Sequence, residues 1–110
     1  MIEIEEIKKR LADIVWCVEY RPGMVFSRNT YTYAELSAYI NGVFHGIEFF
    51  SDVCIGPNFS YWINDNKKTP VVWDSLINKK AERLTVDPSH LLVKELKLFI
   101  ENGNFSSFNI

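Results

Sequence analysis

Ile47-Glu48-Phe49-Phe50-Ser51-Asp52-Val53-Cys54-Ile55-Gly56-Pro57-Asn58-Phe59-Ser60-Tyr61-Trp62-Ile63-Asn64-Asp65-Asn66 is the stretch on which the fold class turns. Residues 47–55 read as a helix that continues past a kink at Gly46. Gly56-Pro57-Asn58 reads as a break, because glycine and proline disfavour a continuing helix. Phe59-Ser60-Tyr61-Trp62-Ile63 is aromatic-rich and strand-like by propensity. Asn64-Asp65-Asn66 reads as a turn. If the whole stretch is helical, the chain is all-α. If residues 59–63 pair in a small hairpin, it is α+β.

The flanking sequence is easier to read. Upstream, Thr32-Tyr33-Ala34-Glu35 has the form of a capping box, in which the Thr hydroxyl and the Glu carboxylate satisfy each other's backbone amides. Leu36, Tyr39, Ile40, Val43 and Phe44 then share one helical face, with Gly46 placed as a C-terminal cap. Further upstream, Ile4, Ile7, Leu11, Ile14, Val15 and Val18 recur at spacings of three and four. They predict a helix over residues 2–20, ended by Arg21-Pro22-Gly23. Met24-Val25-Phe26 is ambiguous between a short strand and a buried connector.

Downstream, Thr69-Pro70 has the pattern of a cap followed by proline in the first turn. Val72, Leu76, Ile77, Lys80 and Leu84 follow on a broad stripe with Trp73 beside it, and Lys79, Lys80, Glu82 and Arg83 are expected in solvent. Asp87-Pro88 repeats the signal, and Leu91, Leu92, Glu95, Leu96 and Phe99 predict a helix over residues 88–102 closed by Gly103. Phe105 and Phe108 in the tail either dock or fray. The expectation is a mostly α, single-domain bundle of four to five helices over residues 1–110, with a small β-hairpin in the middle as the alternative (α+β).

With 110 residues, 47% apolar and 24% charged, the chain has the balance of one globular domain. It begins with acids rather than a basic, apolar leader, and no run of about 18 apolar residues is present. A cytoplasmic protein is expected, without a membrane span. Cys17 and Cys54 sit among apolar residues and form no CxxC or zinc spacing, so they read as buried, reduced thiols. His45 reads as lying at a helix end and His90 in a first helical turn, and neither falls in a metal-binding spacing. The five glycines form no phosphate loop. No nucleophile constellation is marked, so no enzyme, cofactor or metal is expected. Lys67, Lys68, Lys79, Lys80 and Arg83 form the one basic stretch, and the net charge of −2 argues against nucleic acid as a partner.

The informative feature is a gap. No Lys or Arg lies between Arg28 and Lys67, while Glu35, Glu48, Asp52 and Asp65 do. The same window holds Tyr31, Tyr33, Tyr39, Phe44, Phe49, Phe50, Phe59, Tyr61 and Trp62. A domain this small cannot bury all of them, so some reach the surface. Acids beside exposed aromatics suit a basic protein partner. The rings anchor and the carboxylates steer. The candidate partner-binding residues are Glu35, Tyr39, Glu48, Asp52, Tyr61, Trp62 and Asp65.

Small, acidic, aromatic-rich and free of catalytic motifs, the chain resembles in overall profile the small bacterial immunity proteins of contact-dependent or bacteriocin-type toxin systems. That resemblance implies one-to-one binding of a cognate protein toxin, cytoplasmic residence and no catalysis. A monomer or a dimer is expected, and the rival expectations are a small regulatory or adaptor module that self-associates and a helical nucleic-acid-binding domain.

Overall fold

The computed structural model describes residues 3–105. Six helices are present among them: α1 (Ile4–Tyr20), α2 (Pro22–Phe26), α3 (Tyr33–Phe50), α4 (Ile55–Ile63), α5 (Trp73–Leu84) and α6 (Pro88–Asn102). No strand occurs among the described residues. The class is all-α, with six helices in place of the expected four to five, and the α+β alternative does not hold.

The hairpin is replaced by α4, and the reason is local chemistry. Pro57 lies in the first turn of α4, where its missing N–H has no partner to lose. The Gly56 amide donates to Glu48 Oε2 at 2.9 Å, so a side chain from α3 caps α4. Ile55, Phe59 and Ile63 then recur at helical spacing and are buried. Their period outweighs the strand propensity of the aromatics.

Three other boundaries move. α3 runs through Gly46 to Phe50, because Val43 and Ile47 keep packing against the core beyond the expected stop. His45 therefore lies within the helix. Met24-Val25-Phe26 is helical, started by Pro22, and Phe26 stacks on Tyr31 at 4.6 Å. Thr69-Pro70 does not open α5. The Thr69 hydroxyl accepts from the Val71 amide at 3.1 Å in a turn, and the helix starts at Trp73. α1 begins at Ile4 rather than residue 2 and ends at Tyr20, and α6 has the expected span, with Asp87 accepting from the Ser89 amide.

α6 is the central element. It packs against α1, α3, α4 and α5. Leu91, Leu92, Val93, Leu96 and Phe99 are all buried, so most of its circumference faces protein. Leu11, Val15 and Val18 of α1, Leu36, Ile40 and Phe44 of α3, and Trp73 and Ile77 of α5 complete the core. Trp73 is thus a core residue rather than a neighbour of the stripe. Phe105 docks, stacked on Phe99 at 4.8 Å with the Lys8 ammonium over its ring. Phe108 lies outside the described residues. Gly103 lies so close to the Phe99 ring that an added Cβ would sit 2.1 Å from it. Glycine is required there by proximity rather than by backbone angle.

The capping box forms as expected. Glu35 donates its amide to Thr32 Oγ1 at 3.1 Å, and Thr32 returns its amide to Glu35 Oε1 at 3.0 Å. Arg28 pairs with the same carboxylate. The Thr32 amide first, and the Arg28 guanidinium next, hold the Glu35 carboxyl below its ordinary range. A carboxyl depressed in the folded state adds stability above its unfolded pKa and loses it as pH falls through the folded value. Glu35→Gln therefore lowers stability near neutrality, and the deficit closes below about pH 4. Urea unfolding of both proteins across that range measures it.

Candidate functional site

α3 is fastened to the rest of the domain at both ends. Near its start, the Tyr33 hydroxyl donates to the Asp74 carbonyl at 2.8 Å, tying it to the first turn of α5. Near its end, Glu48 caps α4. Between these braces a groove of about 630 Å³ opens. Ser37, Asn41, His45 and Glu48 form one wall, following the helical repeat of α3. Gly56, Pro57, Ser60 and Tyr61 of α4 form another, and the segment 69–72 with Trp73 and Asp74 forms the third. Phe44 lies at the floor.

The ionisable lining residues besides Tyr61 are His45, Glu48 and Asp74, and no Lys or Arg lines the groove. The groove therefore presents two carboxyl groups and, apart from the His45 imidazole, no basic side chain. Burial, and then the nearby Asp74, raise the Tyr33 hydroxyl well above its ordinary range. It stays a proton donor to α5 at any physiological pH.

The seven sequence candidates separate. Glu48 and Tyr61 meet in the groove. Trp62 is half-buried, donates its indole N–H to Glu95 Oε2 at 3.0 Å and packs on Phe99. Glu35 belongs to the capping box, and Tyr39 packs edge-on against Phe26. Asp52 is exposed in the link between α3 and α4. Asp65 is exposed in the turn after α4, in a left-handed conformation.

The base-free window supplies fewer surface rings than expected. Phe44 and Phe59 are fully buried, and its tyrosines and Trp62 are half-buried. Its exposed rings are Phe49 and Phe50. A second aromatic surface lies on α1 and α2, where Trp16, Tyr20 and Met24 are exposed. Its signal was present in the sequence. Trp16 and Tyr20 are four residues apart and off the line of Ile7, Leu11 and Val18. His45, Trp73 and Asp74 could not be placed in a groove without knowing how α3 meets α5.

Lys67, Lys68, Lys79 and Arg83 are exposed, as expected. Lys80 is not a solvent residue. It bonds Glu95 Oε1 at 3.1 Å and is about three-quarters covered. Cys17 and Cys54 are free and only partly buried, less covered than expected. Among the described residues no three His, Cys, Asp or Glu side chains cluster as metal ligands. No described helix is long and apolar enough to cross a membrane. Compared with protein-family models, with curated proteins and with solved structures, the chain matches none.

Proposed function

We propose that this protein is a protein-binding inhibitor whose α3/α4 groove receives a Lys- or Arg-bearing element of its partner. The supporting observation is the groove itself: Glu48 and Asp74 in its walls, Tyr61 and Trp73 beside them, and no basic residue in the lining. A cationic side chain entering it meets carboxylates to pair with and the part-exposed Tyr61 ring to lie against. Together with the profile resemblance, this favours an immunity protein that neutralises a bacterial toxin by covering a basic active or substrate-binding surface. A nuclease has such a surface, because it must attract phosphates.

The test uses a charge placed in the groove without disturbing its braces. Asn41 lines the groove, is exposed and makes none of the bracing bonds. Tagged wild-type protein is expected to recover one basic partner at equal stoichiometry and to abolish its activity. Asn41→Lys is expected to slow association roughly tenfold at low salt. A recovered partner that keeps its activity, or whose binding ignores Asn41→Lys, overturns the reading. Recovery of the protein alone overturns it as well.

A further inference from the structure

α4 starts without a cap from its own boundary. Cys54 stands at that position, and its side chain makes no bond to the helix. Gly56 is the second helical residue, so its amide has no partner inside the helix. It donates instead to Glu48 Oε2 at 2.9 Å, eight residues back on α3. Glu48 is half-buried, and its side chain also lines the α3/α4 groove. One carboxylate therefore faces two ways, toward the start of α4 and toward whatever enters the groove. A carboxylate has about four acceptor positions, so a single amide does not exhaust it.

The bond to Gly56 bears on how well Glu48 can hold a cation. A glutamate on an open helix surface samples several rotamers, and a ligand that grips it must order them. Here the cap orders them before any ligand arrives. That lowers the entropic cost of binding. Asp74, in another wall of the groove, is held in the same manner. Its Oδ1 accepts from the Ser75 amide at 2.7 Å, and its carbonyl accepts from the Tyr33 hydroxyl at 2.8 Å. Tyr61 lies one turn beyond Pro57 on α4 and lines the groove as well. A cation at Glu48 thus meets α3 and α4 together.

We propose that Glu48 is the residue that receives the partner's Lys or Arg, that the Gly56 amide positions it, and that capping of α4 and binding in the groove reinforce one another. This rests on the reading of the groove given above. Thermodynamic reciprocity fixes the sign. If the cap strengthens binding by some factor, binding strengthens the cap by the same factor. A partner seated in the groove then tightens the junction between α3 and α4.

The probe is N-acetyl-argininamide, titrated into the whole chain and followed by NMR. It is expected to shift Asn41 and Tyr61 saturably and to slow exchange of the Gly56 amide about fivefold at saturation. The neutral N-acetyl-glutaminamide is expected to do neither. Gly56→Pro deletes the amide and leaves Glu48 in place, at a position in the first turn where proline is tolerated. It is expected to weaken the probe by the same factor. Gly56→Ala keeps the amide and sets a methyl group 3.6 Å from Glu48 Oε2, an ordinary contact, so it is expected to bind as the wild type does. Glu48→Gln keeps an acceptor for the amide but not the charge. It is expected to retain protection of Gly56 and to lose the probe. If Gly56→Pro does not fold, the wild-type exchange rates and Glu48→Gln decide the matter. Binding in the groove that leaves Gly56 exchange unchanged, or that survives Glu48→Gln, overturns the proposal while the reading of the groove stands. So does binding that a folded Gly56→Pro does not weaken. No saturable shift up to about 0.1 M overturns that reading, and the proposal with it.

Discussion

Phe99→Ala is expected to remove about 3–5 kcal/mol of stability, the largest loss from any single truncation discussed. Phe99 has no exposed surface, and it joins separate parts of the core. Its ring meets Phe59 of α4 at 5.1 Å, Trp62 at 6.0 Å and Phe105 at 4.8 Å. Gly103 lies against the same ring. None of these neighbours can close the void alone, because each is held by its own element. Domains of this size hold about 5–15 kcal/mol in all. The expected fall in melting temperature is therefore about 15–25 °C, followed by far-ultraviolet circular dichroism. A fall of under about 5 °C would show that α4 and the 103–105 segment collapse onto the site, and that the ring is not their anchor.

Glu95→Ala is expected to lose about 2–4 kcal/mol by a different route. Glu95 is nearly buried on α6, and each carboxylate oxygen has a partner from a different helix. Oε2 accepts from the Trp62 indole of α4, and Oε1 from the Lys80 ammonium of α5. Truncation strands both donors at once in a poorly solvated place. Glu95→Gln keeps an acceptor for the indole but not the charge, so it is expected to cost less. Lys80→Met combined with Glu95→Leu removes the pair together, and its loss is expected to be smaller than that of Glu95→Ala. Urea midpoints of the wild type and the three variants measure this. If Glu95→Ala is no worse than the double variant, the carboxylate does not join α4 to α5 energetically.

These two residues show what the sequence could and could not convey. Phe99 and Glu95 both fell on the predicted stripe of the last helix, because that helix carries its own period and its own caps in Asp87-Pro88. The same holds for α1 and for the start of α3, where Thr32 and Glu35 are local partners. α4 was illegible because its cap comes from Glu48, eight residues earlier on another helix. A reading of Gly56-Pro57 from neighbours alone finds a break. Gly46 misled for a related reason: glycine stops a helix only where nothing beyond it has a core to face, and Ile47 does. Of the candidate site, Glu48 and Tyr61 were found through the charge gap. Trp62, Glu35 and Tyr39 shared that window but serve internal bonds and packing. The exposed Trp16 and Tyr20 lay outside it.

The contact of α1 with α6 has a kinetic consequence. α4 meets α5 and α5 meets α6 as neighbours along the chain, so those pairs close short loops. α1 instead buries Ile7, Leu11, Val15 and Val18 in a core whose central helix begins at residue 88. During synthesis, that apolar face waits until the residues from 88 onward have been made before its main partner exists. Closing so long a loop carries an entropic penalty that short loops avoid. Docking of α1 on α6 is therefore expected late in folding, and until then the nascent chain presents the apolar face of α1 to its surroundings.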